Sequence, residues 1–140
     1  MKRSLLVVCI ALLSFGFTHR QSAQPYRVVF DLTSRDTLDQ KAVLRWIKET
    51  TGATPAAQQI EVVMYAKGFE LVMPERSAFI TEVQNAMKNP NVSFKVCAIA
   101  MKNNNIEKSQ LLPGVQIVPD GIREIVEKQQ EHWGYIKVMH

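Results

Sequence analysis

Three short apolar runs, each followed by a polar turn and then a segment of helical period, constrain this chain more than any other feature. The runs are Pro25–Leu32 (PYRVVFDL), Ile60–Ala66 (IEVVMYA) and Val92–Ala98 (VSFKVCA). Their continuous apolar character suits strands covered on both faces. Leu38–Thr51 carries Val43, Leu44 and Ile47 on one side, and Glu75–Met87 carries Phe79, Ile80, Val83 and Met87. Spacings of three and four make each of these a helix face. A fourth strand is expected at Val115–Val118. After it comes a helix with Ile122, Ile125, Val126 and Gln129 inward, and then a fifth strand at Tyr135–Met139. Strands that alternate with helices imply an α/β domain with a mostly parallel sheet, helices on both faces and right-handed crossovers.

The punctuation agrees with this order. Asp36 or Thr37 is placed to cap the first helix, and Asp120 the last. Gly52 fits a left-handed helix stop, helped by Pro55. Pro74 suits a first helical turn, and Asn89–Pro90 breaks the second helix. No linker, repeat or low-complexity tract divides residues 25–140, so they read as one domain.

The first 23 residues read differently. Lys2 and Arg3 precede Ser4–Phe17, which is almost wholly apolar. That stretch is shorter than the roughly 20 residues of a membrane span. A charged start, a short apolar stretch and a small-residue exit describe a secretory signal peptide over residues 1–23, cut before Gln24. The expected address is therefore periplasmic or secreted, with no stable membrane anchor after cleavage. Three of the 17 basic residues (Lys2, Arg3 and Arg20) and none of the 13 acidic ones lie before Gln24, which takes the formal net charge from +4 to +1. No basic cluster with interleaved aromatics remains, which disfavours nucleic acid as a partner.

Cleavage would also leave Cys97 as the only cysteine, Cys9 going with the signal. A single thiol in an exported protein is buried and inert, paired between chains, or reactive. No metal-binding spacing, GxGxxG, phosphate loop or GxSxG occurs, so no metal or cofactor is expected. In an open parallel sheet, functional groups gather beyond the carboxyl ends of the strands. Here those ends are Thr33–Asp36 with Ser34, Lys67–Glu70 with Gly68, Cys97–Asn105 with Lys102 and Asn103, and Pro119–Gly121. Cys97 is the candidate nucleophile. Ser34, Lys67, Gly68, Lys102 and Asn103 are the candidate binding residues around it. Lys95, two residues earlier, should share its face of the strand.

Four stretches carry a resemblance to a known family: YRVVFDLTSRD, EVVMYAKG, VSFKVCAIAMKNNNI and LLPGVQIVPDGIREIVEKQQEHWGYIKV. Together they resemble the DsrE/DsrF-like proteins over nearly all of residues 25–140. The resemblance implies a three-layer α/β/α sandwich with a five-stranded sheet in the order 4-3-2-1-5. It implies homo-oligomers, often trimers or hexamers. It also implies sulfane sulfur carried as a persulfide on a cysteine at the position of Cys97, with a thiol-bearing protein as partner. Lys67 stands where many relatives have histidine, and AIAM follows the cysteine in place of a small polar segment. The competing expectation is a non-enzymatic oligomeric binding module in which Cys97 only fills the core.

Overall fold

The computed structural model describes residues 25–53 and 58–139. The expected signal peptide, the role given to Pro55 and the terminal His140 lie outside them. The elements run β1 (Tyr26–Leu32), α1 (Thr37–Ala53), β2 (Gln58–Met64), a 3-10 helix (Gly68–Val72), α2 (Ile80–Met87), β3 (Val92–Cys97), α3 (Ala98–Asn103), a 3-10 turn (Lys108–Gln110), β4 (Gln116–Val118), α4 (Gly121–Gln130) and β5 (Gly134–Lys137).

All five strands are parallel, in the order β4-β3-β2-β1-β5. Phe30 lies beside Val62, and Val62 beside Phe94, while Asp31 lies beside Lys137. Alternation along each strand then sorts the side chains into two layers. Val28, Phe30, Leu32, Ile60, Val62, Met64, Phe94 and Val96 pack with Val43 and Ile47 of α1 and Val83 of α2. Val29 and Val63 face the other way and meet Ile125 of α4. The result is the expected three-layer sandwich. The α4 side of the sheet carries the strand charges Asp31, Glu61 and Lys95.

Most of the elements fall where periodicity puts them, and three differences have physical causes. α2 begins at Ile80 rather than Glu75. Phe69, Leu71, Val72 and Met73 are all buried, and no single face of a straight helix can bury four residues in five. They form a 3-10 helix that plugs the sheet end instead, and the Ser77 hydroxyl then accepts from Phe79 N just before α2. Gly52 does not stop α1, which continues to Ala53. On α4, Ile122 and Val126 are exposed rather than inward. The side turned to the sheet is Gly121, Glu124, Ile125 and Lys128, because α4 closes over charged strand residues as well as apolar ones. The caps hold as expected: Asp36 accepts from Leu38 N, and Asp120 accepts from Ile122 N and Arg123 N. Among the described residues no helix is long and apolar enough to cross a membrane.

Candidate functional site

Cys97 is the last residue of β3 and immediately precedes α3. It is only 5% exposed. Its backbone is extended, and its side chain makes no capping bond to α3. α4 forms one wall of its surroundings. A methyl group at Gly121 would lie 3.1 Å from Cys97 Cβ, 3.3 Å from Val63 Cγ1 and 3.5 Å from Tyr65 Cβ. Only a residue without a side chain lets the start of α4 come this close. Cys97 and Tyr65 are thus held against the same point of α4.

From Tyr65 a polar chain runs along the carboxyl ends of β1, β2 and β5. The Tyr65 hydroxyl donates to Asp31 Oδ2 at 3.2 Å, and the Tyr135 hydroxyl donates to the same oxygen at 2.8 Å. Lys137 Nζ donates to Asp31 Oδ1 at 3.1 Å and to Thr33 Oγ1 at 2.9 Å. It also lies 5.6 Å from the centre of the Tyr65 ring. Asp31 is buried and accepts three bonds, as an ionised carboxylate out of water must. Burial, then the charge and hydrogen bond of Asp31, raise the Tyr65 phenol, with a Cys97 thiolate adding a smaller push. Tyr135 is pushed up to about 12 by burial and by its bond to Asp31. In Asp31→Asn, Tyr135 should therefore ionise closer to the ordinary 10.0. Spectrophotometric titration checks this, and an unchanged Tyr135 would show that burial alone sets its value.

The expected binding residues separate into those the fold joins and those it does not. Lys67 Nζ donates to Asn104 Oδ1 at 2.6 Å, and Asn104 Nδ2 donates to Ala100 O. The loops after β2 and α3 are thereby tied together, through Asn104 rather than Asn103. Lys102 and Asn103 are exposed, and no side-chain bond is formed by either among the described residues. Ser34 is occupied in its own turn, where its hydroxyl accepts from Asp36 N. Gly68 packs on the β1 backbone, its Cα directed at Leu32 O. Lys95 does share the α4 side with Cys97, but it is engaged by Glu61 and Glu124. Asp31, Tyr65, Tyr135 and Lys137 were not expected. Their signal was a lone aspartate inside an apolar run, VVFDL, which a buried strand tolerates only with partners.

A parallel sheet in this order, with one described cysteine at the carboxyl edge of β3, defines a three-layer α/β protein with a single edge thiol. The chain belongs to the DsrE/DsrF-like family, whose model matches residues 27–138. Among solved structures it is similar to the protein of unknown function MTH1491 from Methanobacterium thermoautotrophicum. The two are 27% identical, the match covers 80% of this chain and 98% of that one, and the TM-score is 0.74. No curated protein matches the chain.

Proposed function

We propose that the protein carries sulfane sulfur as a persulfide on Cys97. One observation carries this reading: the only described cysteine sits at the carboxyl edge of β3 in a DsrE-like sheet. The chemistry is nucleophilic exchange at sulfur. The Cys97 thiolate attacks the outer sulfur of a donor such as thiosulfate. A new S–S bond forms, the donor's S–S bond breaks, and sulfite leaves with the bonding pair. An acceptor thiolate then takes the outer sulfur and returns Cys97 to a thiolate, with no net oxidation of the protein. Export after removal of residues 1–23 belongs to the same reading, as does a homo-oligomer. Exposed Ile122, Val126, Tyr135 and Ile136 offer apolar surface for the latter, and light scattering tests it.

Incubation with thiosulfate or polysulfide should add the mass of one sulfur atom to the wild type and nothing to Cys97→Ala. An equal adduct on both, or none on either, overturns the assignment. The low exposure of Cys97 favours a second reading, a binding module in which the thiol only packs. That reading expects slow alkylation of the folded protein across neutral pH, and rapid labelling excludes it.

A further inference from the structure

A second cluster lies under α4. β2 supplies Glu61, β3 supplies Lys95 and α4 supplies Glu124. Lys95 Nζ lies 2.7 Å from Glu61 Oε2 and 2.7 Å from Glu124 Oε1, with the Glu61 side chain 3% exposed and the other two 14% and 15%. Of the two carboxylates, Lys128 reaches only Glu124, at 3.8 Å, so Glu61, the most buried of the three, has only Lys95 and must share that ammonium with a second acid. Glu61 Oε1 is also shut off from solvent and has no hydrogen-bond partner. Buried carboxylate oxygens are rarely left so. A proton on one carboxyl removes both difficulties, because a carboxylic acid can donate to its neighbour.

We propose that Glu61 and Glu124 share one proton across Lys95, and that this proton fastens α4 to the sheet, so that its loss loosens α4 and uncovers Cys97. α4 meets the sheet at few places: Gly121 against Cys97 and Val63, Glu124 at the cluster, Ile125 against Val29 and Val63, and at its end the Glu131 carbonyl, which accepts from Arg27 of β1. Ile122 and Val126 are exposed and add no grip. The middle attachment therefore governs a helix whose first residue walls in the thiol.

The surrounding charges set which carboxyl keeps the proton. Lys128 Nζ of α4 lies 3.8 Å from Glu124 Oε1 and 3.4 Å from Glu131 Oε2. Lys128 and Arg27 of β1 both lie over the Trp133 ring, and Arg27 donates to the Glu131 carbonyl. Gln59, Ser93 and Gln116 add only uncharged groups to the adjoining cavity of about 370 Å³, which gives the proton a way to solvent. Burial pushes Glu61 up to about 7 despite Lys95. Burial resists ionisation of Glu124 too, but hydrogen bonds with Lys95 and Glu61 outweigh it and hold that carboxyl low. Glu61 is the acid and Glu124 the carboxylate.

The uncovering of Cys97 bears on the sulfur-carrier reading, whereas the latch stands without it, and the experiment separates the two. Hydrogen–deuterium exchange of the α4 amides and alkylation of Cys97 are followed in the full chain at about pH 6 and about pH 8. The variant is Glu61→Gln, whose amide N–H replaces the acid proton at either pH. With Glu61 near 7, linkage sets an expected loss of α4 protection of about tenfold across that interval in the wild type and none in the variant. Alkylation should rise by that factor beyond the thiol's own titration, which the variant reports alone. Carboxyl carbon-13 shifts give a readout without mutation. One glutamate should titrate near neutrality, and if both titrate near 4.5 no proton is shared. Equal protection in both proteins at both pH values overturns the latch. Loosening of α4 without faster alkylation overturns the uncovering of Cys97. Fast alkylation without a sulfur adduct leaves the latch intact and sinks the carrier reading.

Discussion

Lys95→Met should cost the fold about 3–5 kcal/mol at about pH 9, where Glu61 is a carboxylate in the wild type, the usual loss when one partner of a buried ion pair is removed. Methionine keeps most of the apolar stem, so packing contributes little to that loss. What remains is Glu61 and Glu124 facing each other with no ammonium between them. At about pH 6 the loss should shrink, because Glu61 holds a proton there in the wild type, and more firmly once Lys95, which lowers its carboxyl, is gone. Urea denaturation at the two pH values measures both numbers. A loss below about 1 kcal/mol that ignores pH would mean that the cluster behaves as a solvated surface pair. The wild type has its own slope. Folding raises the pKa of Glu61, so its contribution is full below about 4.5 and is lost as the pH climbs toward 7. Glu124 is lowered on folding, so its contribution is present above 4.5 and is lost as the pH falls below that value.

The same cluster shows what the sequence could and could not reveal. Strand order and layers were legible because runs such as VVF and EVVM carry enough apolar residues to fill two faces, and because the family resemblance supplied the order. Of the candidate site, only Cys97, Lys67 and the asparagine loop were legible. Asp31, Glu61 and Lys95 each interrupt an apolar run once. Each points to the same side of the sheet, since Asp31 pairs in register with Val63, the neighbour of Lys95. Reading the strands for alternation of charge, rather than for apolar content, would have found that side. It would also have corrected the face of α4. Ile122 and Val126 look inward on hydrophobicity alone, but Glu124 must turn to the sheet to reach Lys95. The partners themselves, Tyr135 and Lys137 from β5, are about a hundred residues away in the chain. Only the register of β5 on β1 brings them to Asp31, and no local pattern encodes that register.

Among the described glycines, Gly68→Ala should be the most damaging alanine substitution, at about 3 kcal/mol or more, the upper end of what overpacking costs. Its added methyl would lie 2.0 Å from the Leu32 carbonyl oxygen and 2.7 Å from the carbonyl carbon. Both are backbone atoms at the end of a buried strand, so neither can rotate away. The surrounding bonds fix the approach: Tyr65 N donates to Leu32 O, Lys67 N to Thr33 O, and Gly68 N to Tyr65 O. To relieve the overlap, the 3-10 helix must lift and expose Phe69 and Leu71, which are fully buried. It would carry Lys67 with it and strain the Lys67–Asn104 bond. Gly52→Ala is the matched control. Nothing lies within 4 Å of the added methyl, and alanine in a helix should stabilise by about 0.5–1 kcal/mol. Thermal melts of the two variants should therefore shift in opposite directions. The comparison also decides what Gly68 is for. A glycine needed for a ligand's close approach would leave the melt unchanged and impair only sulfur loading. A glycine needed for β1 to meet the turn after β2 lowers the melt first, and the loss of loading follows from the loss of the fold.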